Sequence, residues 1–208
     1  MATLPTAQHD QPLFTITDYL TLERAAEERH EYLDGCVYAM AGESPNHGRI
    51  CTNLVGSLSV HLRGTRCEAF SKDMKVRCGP TPRPGGSQEG LYAYPDIVVV
   101  CGPLQFHDQV QDVLLNPTLL LEVLSPSTEA FDRGQKFLRY RTWLPTLTDY
   151  VLVAQHHPLV EHYQRQAETW TLHTREGLEE HLTVPCLDRA IALREMYDRV
   201  VFVPALHD

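Results

Sequence analysis

Long apolar runs are missing from this 208-residue chain. Nothing in it approaches the roughly 20 consecutive apolar residues of a membrane-spanning helix, so no membrane association is expected. The opening "MATLPTAQHDQPLF" has neither a basic leader nor an apolar core. No secretory signal is read there, and a cytoplasmic location is expected. CxxC pairs and zinc-ribbon spacings are missing too, because Cys36, Cys51, Cys67, Cys78, Cys101 and Cys186 are scattered. Free, reduced thiols are therefore expected. Positive charge is also scarce. A formal net charge of −9 lowers the expectation of a tight, stand-alone DNA binder, since neutralising phosphates dominates that affinity; it does not forbid a local basic patch. Internal repeats, a helix-turn-helix and a zinc finger are absent, so no DNA recognition sequence is named.

What is present reads as alternating helices and strands. Residues 1–13 read as a flexible tail and 14–208 as a single domain. Thr17 is the expected cap of a first helix, whose apolar stripe starts at Tyr19, Leu20 and Leu22 and runs to about Arg29. "EYLDGCVYAMA" reads as a hairpin turning at Asp34-Gly35. Ser44 caps the next helix, with Pro45 in its first turn and an apolar stripe at Ile50, Leu54, Leu58 and Leu62. "CEAFS" and "MKVRC" read as short strands, and 79–93 as a Pro- and Gly-rich loop.

"YPDIVVVC" and "TLLLEVLS" are apolar enough to be fully buried strands, joined by the irregular "GPLQFHDQVQDVLLN". "STEAFDRGQKFLRYRTWL" reads as a helix despite Gly134, which costs about 1 kcal/mol against alanine in a helix interior. "DYVLVA", "LVEHYQR" and "ETWTLHT" follow as strands, the last two a hairpin around Gln166-Ala167, and "LREMYD" as a short helix. The expected fold class is α/β or α+β, a mixed β-sheet flanked by helices.

One residue does not fit an apolar strand. Glu122 shares a strand face with Leu120 and Leu124, and a buried carboxylate is costly unless a cation meets it. Asp96 opens the run "DIVVVC". If the two strands are neighbours, their carboxylates converge, and two such groups repel unless a cation lies between them. Carboxylate oxygens suit Mg²⁺ or Mn²⁺. Lys136, on the following helix with Asp132 and Tyr140 at spacings of four, lies at the margin of an apolar stripe and can reach back towards Glu122. Glu122 therefore faces either a divalent ion shared with Asp96 or Lys136 itself.

The ordered set "EYLDG", "PDIVV", "EVLSPST" and "DRGQK" resembles the Uma family of restriction endonuclease-like proteins, within the PD-(D/E)xK nuclease superfamily. The resemblance runs from about residue 14 to 155. It implies a restriction endonuclease-like core with Asp96 and Glu122 as metal-binding carboxylates and the carbonyl of Val123 completing the protein's share of the shell. It also implies Mg²⁺- or Mn²⁺-dependent endonuclease hydrolysis of DNA phosphodiesters. The superfamily lysine is replaced here by Leu124, and the resemblance implies Lys136 as a displaced substitute. Glu31, placed at the end of the first helix, is implied as an additional acidic residue. Asp132 is expected to orient Lys136, and Tyr140 to touch a phosphate. A homodimer is expected from the superfamily's habit of pairing subunits. His47, in "SPNHGRI", receives no role.

Competing expectations remain beside these. Glu31 lies in a run with Glu27 and Glu28 that also reads as a solvated face. Asp73 and Lys75 make a D-x-K that mimics the motif but reads as an edge strand with outward charges. His156 and His157 read as surface residues in a turn. The alternatives to a DNA endonuclease are an inactive protein of the same fold serving as an interaction module, and a metal-dependent phosphodiesterase on another substrate.

Overall fold

The computed structural model describes residues 13–81, 88–187 and 190–202. The N-terminal tail, apart from Leu13, and the centre of the 79–93 loop lie outside the described residues. The chain begins with helix α1 (Ile16–Ala25) and continues with β1 (His30–Leu33), β2 (Cys36–Ala39), α2 (Pro45–His61), β3 (Cys67–Ser71), β4 (Lys75–Cys78), β5 (Leu91–Ala93) and β6 (Ile97–Cys101). Next come β7 (Val113–Leu114), β8 (Leu119–Val123), a short α3 (Glu129–Phe131), a π-helical turn (Asp132–Lys136) and α4 (Phe137–Trp143). The last elements are β9 (Asp149–Val153), β10 (Leu159–Gln166), β11 (Thr169–Glu176), β12 (His181–Leu182), β13 (Ile191–Ala192) and α5 (Leu193–Met196). No helix of the described residues is long and apolar enough to cross a membrane.

Among the described residues the strands form two larger mixed sheets where the sequence suggested one, plus the small pair β12-β13. One larger sheet has the order β2-β1-β5-β4-β7 and the other β11-β10-β9-β8-β6-β3. The split follows from the path of the chain. β5 ends at Ala93 in the first sheet, Tyr94 and Pro95 carry the chain across, and β6 starts at Ile97 in the second. Likewise β3 and β4 are not partners, since β3 pairs with β6 and β4 with β5 and β7. The end of the expected 79–93 loop is strand β5, whose three residues are all buried.

Alternation along β6 and β8 sorts their side chains into two cores. Ile97, Val99, Leu119, Leu121 and Val123 pack against the α2 stripe of Ile50, Cys51, Leu54 and Leu58. Val98, Val100, Leu120 and Leu124 pack against Phe137, Tyr140 and Leu144 and against strands of the first sheet. A third cluster holds α1 to the first sheet through Tyr19, Tyr32 and Tyr92, whose ring centroids stand 5.2–5.8 Å apart.

Local signals were mostly where expected. Ser44 caps α2 and accepts the His47 N–H, with Pro45 in the first turn. Asp34 and Gly35 adopt φ of 49° and 92°, as a tight hairpin turn requires. The cap of α1 is Thr15 instead of Thr17, because the Thr15 hydroxyl accepts the Asp18 N–H, and the helix stops at Ala25. The stripe towards Arg29 therefore breaks early, and Glu31 belongs to β1.

The cysteines are not all free. Cys67 and Cys101 are directly opposed in the β3–β6 register and form a disulfide. Spacing could not show this, because the pairing joins residues 34 apart through sheet register.

Candidate active site

β6 and β8 are antiparallel neighbours with Ile97 opposite Leu121 and Val98 opposite Leu120. Carrying that register one residue further places Asp96 opposite Glu122. The backbone of Val123 turns towards the same point, because its N–H donates to Asp96 Oδ2 at 2.8 Å. In an extended strand the N–H and C=O of one residue project to the same side, so the Val123 carbonyl also faces the Asp96 edge. The next residue points the other way, with the Leu124 N–H donating to Val153 O on β9.

Glu122 points into the second core, where Lys136 meets it. Lys136 Nζ stands 2.9 Å from Glu122 Oε1, 3.3 Å from Asp132 Oδ1 and 3.5 Å from Glu31 Oε1. Glu122 and Lys136 are each only 4 % exposed. The contact with Glu122 Oε1 is the shortest of the three and pairs the two buried charges directly.

The π-turn explains how a helix supplies the lysine. Bonds closing i→i+5 widen the turn, so residues four apart are offset by less than the roughly 40° of an α-helix. Asp132 and Lys136 are thereby stacked on one side. Tyr150 fixes the widened backbone by donating its hydroxyl to Asp132 O at 3.1 Å, and its ring stacks on Phe137.

The remaining residues arrive from other elements. Glu31 lies on β1, where its Oε1 accepts the Tyr94 N–H at 3.0 Å just before the chain crosses between sheets. His47, on the first turns of α2, places Nε2 3.2 Å from Asp96 Oδ2 and Nδ1 3.1 Å from Glu43 Oε2. Gln155 ties this end of α2 to the strands: its side chain donates to Leu124 O at 2.8 Å and accepts from the Ser44 hydroxyl at 2.5 Å.

Charges at this junction are unbalanced. Glu31, Glu122 and Asp132 surround one buried lysine, and Asp96 lies beside Glu122. Burial pushes the Glu122 carboxyl well above its ordinary pKa; Lys136 opposes that, while Asp132 and Asp96 add to it. Burial works against the Lys136 ammonium, but Glu122, Glu31 and Asp132 outweigh it and hold the lysine charged. Burial also works against the His47 imidazolium, and Asp96 and then Glu43 outweigh it, so its pKa is raised.

Several expected residues end up elsewhere. Tyr140 was expected to touch a phosphate, but it is fully buried and its hydroxyl is enclosed by protein atoms. Lys75 does not point outward: it is buried on the inner strand β4, bound to Tyr94 Oη and Asp112, while Asp73 is exposed. That D-x-K cannot act as a unit. His156 and His157 are exposed, as expected. A cleft of about 500 Å³ lined by Cys101, Thr118, Asp149 and Cys186 opens at the opposite end of β6 and β8, away from Asp96 and Glu122.

Residues 16–194 match the family model described as "Uma2: Putative restriction endonuclease". The chain belongs to the Uma2 family. Two uncharacterized proteins of Synechocystis sp. are similar to it. One, sll1609, is 35% identical over 161 residues, covering 77% of this chain and 86% of its own. The other, slr1290, is 32% identical over 191 residues, covering 92% and 95%. The crystal structure of a "putative nuclease belonging to DUF820" from Anabaena variabilis superposes with a TM-score of 0.70 at 16% identity, over 90% of this chain and 99% of that one. That likeness is one of fold: this Uma2 chain shares the fold of the Anabaena variabilis protein.

Proposed function

We propose that this Uma2 protein is a divalent-metal-dependent endonuclease that hydrolyses DNA phosphodiester bonds at the Asp96–Glu122–Lys136 junction. The observation that carries the proposal is the excess of carboxylates over cations at the junction. Three acidic side chains from three elements, Glu31, Glu122 and Asp132, meet one buried lysine, and Asp96 adds a fourth carboxylate beside Glu122. Such a set fits a hard divalent cation, which takes carboxylate and carbonyl oxygens. Asp96, Glu122 and the carbonyl of Val123 would hold it. When bound, Mg²⁺ or Mn²⁺ lowers the pKa of a water and offsets charge on the phosphate.

The chain's own residues prepare that chemistry. The Val123 N–H and His47 both take Asp96 Oδ2, which orients the carboxylate and leaves Oδ1 for an ion. Glu122, Asp132 and Glu31 keep Lys136 protonated and fixed, as a group stabilising developing negative charge must be. Asp132 acts as the positioning residue for Lys136. Access runs past Asp96 and Glu31, whose side chains are a fifth exposed while Glu122 and Lys136 lie deeper.

The test is cleavage of plasmid and short duplex DNA with Mg²⁺ or Mn²⁺, comparing wild type with Asp96→Asn and Glu122→Gln. Metal-dependent cleavage should fall by about 10²-fold or more in each, with circular dichroism unchanged. Cleavage that survives both substitutions in folded protein overturns the assignment. A non-catalytic interaction module draws support from the net charge of −9. It predicts no cleavage of DNA, RNA or small phosphodiesters by the wild type.

A further inference from the structure

Beside the carboxylate junction lies a second group of ligand atoms of softer chemistry. Glu43, His47 and Cys51 follow one another at intervals of four, from the residue before the α2 cap into the helix, and so share one face. A carboxylate oxygen, an imidazole nitrogen and the sulfur of these residues all lie within 4.8 Å of one another. His47 Nδ1 is the centre of the group, 3.1 Å from Glu43 Oε2 and 3.5 Å from Cys51 Sγ. Bonds of about 2.0–2.3 Å to a tetrahedral zinc ion place ligand atoms roughly 3.3–3.7 Å apart. The observed separations around Nδ1 are already close to that range.

We propose that Glu43 Oε2, His47 Nδ1 and Cys51 Sγ form a binding site for a zinc-class divalent ion, separate from the site at Asp96 and Glu122. Binding would displace the proton from the Cys51 thiol, whose pKa burial pushes up, and the extra proton that, against burial, Asp96 and Glu43 favour on His47. That leaves a carboxylate, a thiolate and a neutral imidazole, which together neutralise a divalent charge. A sulfur and an imidazole select Zn²⁺ or Co²⁺ over Mg²⁺. The outer contacts are those a metal-bound histidine commonly has. The other ring nitrogen, Nε2, faces Asp96 Oδ2 at 3.2 Å, the carboxylate–histidine arrangement that fixes a ligand's tautomer and orientation. Glu43 is oriented too: Lys72 Nζ holds its Oε1 at 2.5 Å, turning Oε2 to the imidazole.

Cys51 is 2 % exposed and forms the closed floor of the site, while Glu43 is exposed and forms its entrance. Three protein ligands leave a fourth position open towards solvent on the Glu43 side. Because Asp96 is the outer partner of His47, an ion here would also fix the carboxylate on which the proposed nuclease site depends. The zinc-class site itself does not rest on nuclease activity.

The experiment titrates the full chain with Co²⁺, whose thiolate complexes show a sulfur-to-metal charge-transfer absorption, and then adds Zn²⁺. Wild type should develop that absorption with one ion bound, lose it on Zn²⁺ addition, and keep it in excess Mg²⁺. Cys51→Ser should abolish it. His47→Ala and Glu43→Gln should weaken binding, and Asp96→Asn should keep the absorption with affinity reduced about 10–100-fold. Cys36→Ser and Cys186→Ser, at the partly exposed thiols, should change nothing. Should Cys51→Ser fail to fold, Glu43→Gln at the exposed entrance still reads the site. No thiolate absorption in the wild type overturns the proposal, as does an absorption that survives Cys51→Ser or that Glu43→Gln leaves at wild-type affinity. These readouts are independent of cleavage, so loss of the nuclease reading leaves this one standing, and the reverse.

Discussion

Replacing Lys136 by Met removes the one buried cation among three carboxylates while keeping most of the side-chain volume. Its Nζ lies 2.9, 3.3 and 3.5 Å from Glu122, Asp132 and Glu31. At an effective dielectric constant of about 20, each contact near 4 Å is worth roughly 4 kcal/mol of attraction. Desolvating the ions costs several kcal/mol apiece, so most of that attraction is cancelled in the intact protein. Removing one partner leaves the cost and deletes the gain, and the expected loss is about 3–5 kcal/mol. Urea unfolding monitored by circular dichroism at neutral pH reads this as a fall in midpoint. The second variant decides the cause. Glu122→Gln in the Lys136→Met background removes the stranded charge and should restore at least half of the loss. A loss below about 1 kcal/mol for Lys136→Met, or a double variant no more stable than the single one, refutes the electrostatic account of this junction.

Three further outcomes follow from other contacts. Asp112 has its pKa lowered to about 2 from the ordinary 3.8: burial works against the carboxylate, but Arg24 and then Lys75 outweigh it. Its contribution, roughly 1–2 kcal/mol, is therefore complete above about pH 4 and lost as pH falls through about 2, so wild type and Asp112→Asn should differ in urea midpoint at pH 6 and converge at pH 2. Reducing Cys67–Cys101, or replacing both by Ser, opens a loop of 34 residues; a chain-entropy account gives a loss of roughly 3–4 kcal/mol, read as a lower midpoint with dithiothreitol that is absent in the double variant. Gln155→Leu leaves Leu124 O and the Ser44 hydroxyl without their partner, so about 1–3 kcal/mol of stability should be lost, and the proposed Co²⁺ affinity should fall with it because the start of α2 is freed.

How much of this was legible in the residues depends on the range of each interaction. Local rules located Ser44, Asp34-Gly35 and the strand pair carrying Asp96 and Glu122, because caps, turns and alternation act within a few residues. Helix spacing put Lys136 within reach of Glu122 and the family likeness gave it a role, but the π-turn that stacks it on Asp132 is not revealed by any periodicity in "DRGQK". What failed was long-range. Two sheets instead of one follow from where Tyr94 and Pro95 carry the chain, and the Cys67–Cys101 pairing from a register between strands 34 residues apart. Glu31 was read both at the end of the first helix and at the start of the hairpin "EYLDGCVYAMA", and pairing with Tyr38 puts it in the hairpin. His47 was seen and left without a role, although the spacing of Glu43, His47 and Cys51 was on view; it is Asp96, nearly fifty residues on, that gives the histidine meaning.

The acidic total, which weighed against a nucleic-acid substrate, acts differently once charges are placed. Much of the acid is internal or paired: Asp108 and Asp112 hold Arg24, Asp34 holds Arg139, and Glu31, Glu122 and Asp132 enclose Lys136. At the mouth of the candidate site the β3–β4 turn brings Lys72 beside Asp96, its N–H donating to Asp96 O, and Arg29 donates to Lys72 O. Both cationic side chains are about two-fifths exposed. Phosphate binding depends on the charges within about a Debye length of the contact, roughly 8–10 Å, and distant surface acid is screened. Lys72, which also holds Glu43, and Arg29, which also faces Asp73, are thus cations that a phosphate entering past Asp96 and Glu31 would meet, and it would compete with those carboxylates for them. For the proposed nuclease activity, removing both should raise the KM for DNA more than it lowers kcat, and should flatten the salt dependence of binding by about two phosphate contacts. Equal losses in kcat and kcat/KM would place these residues in the chemistry instead of at its entrance.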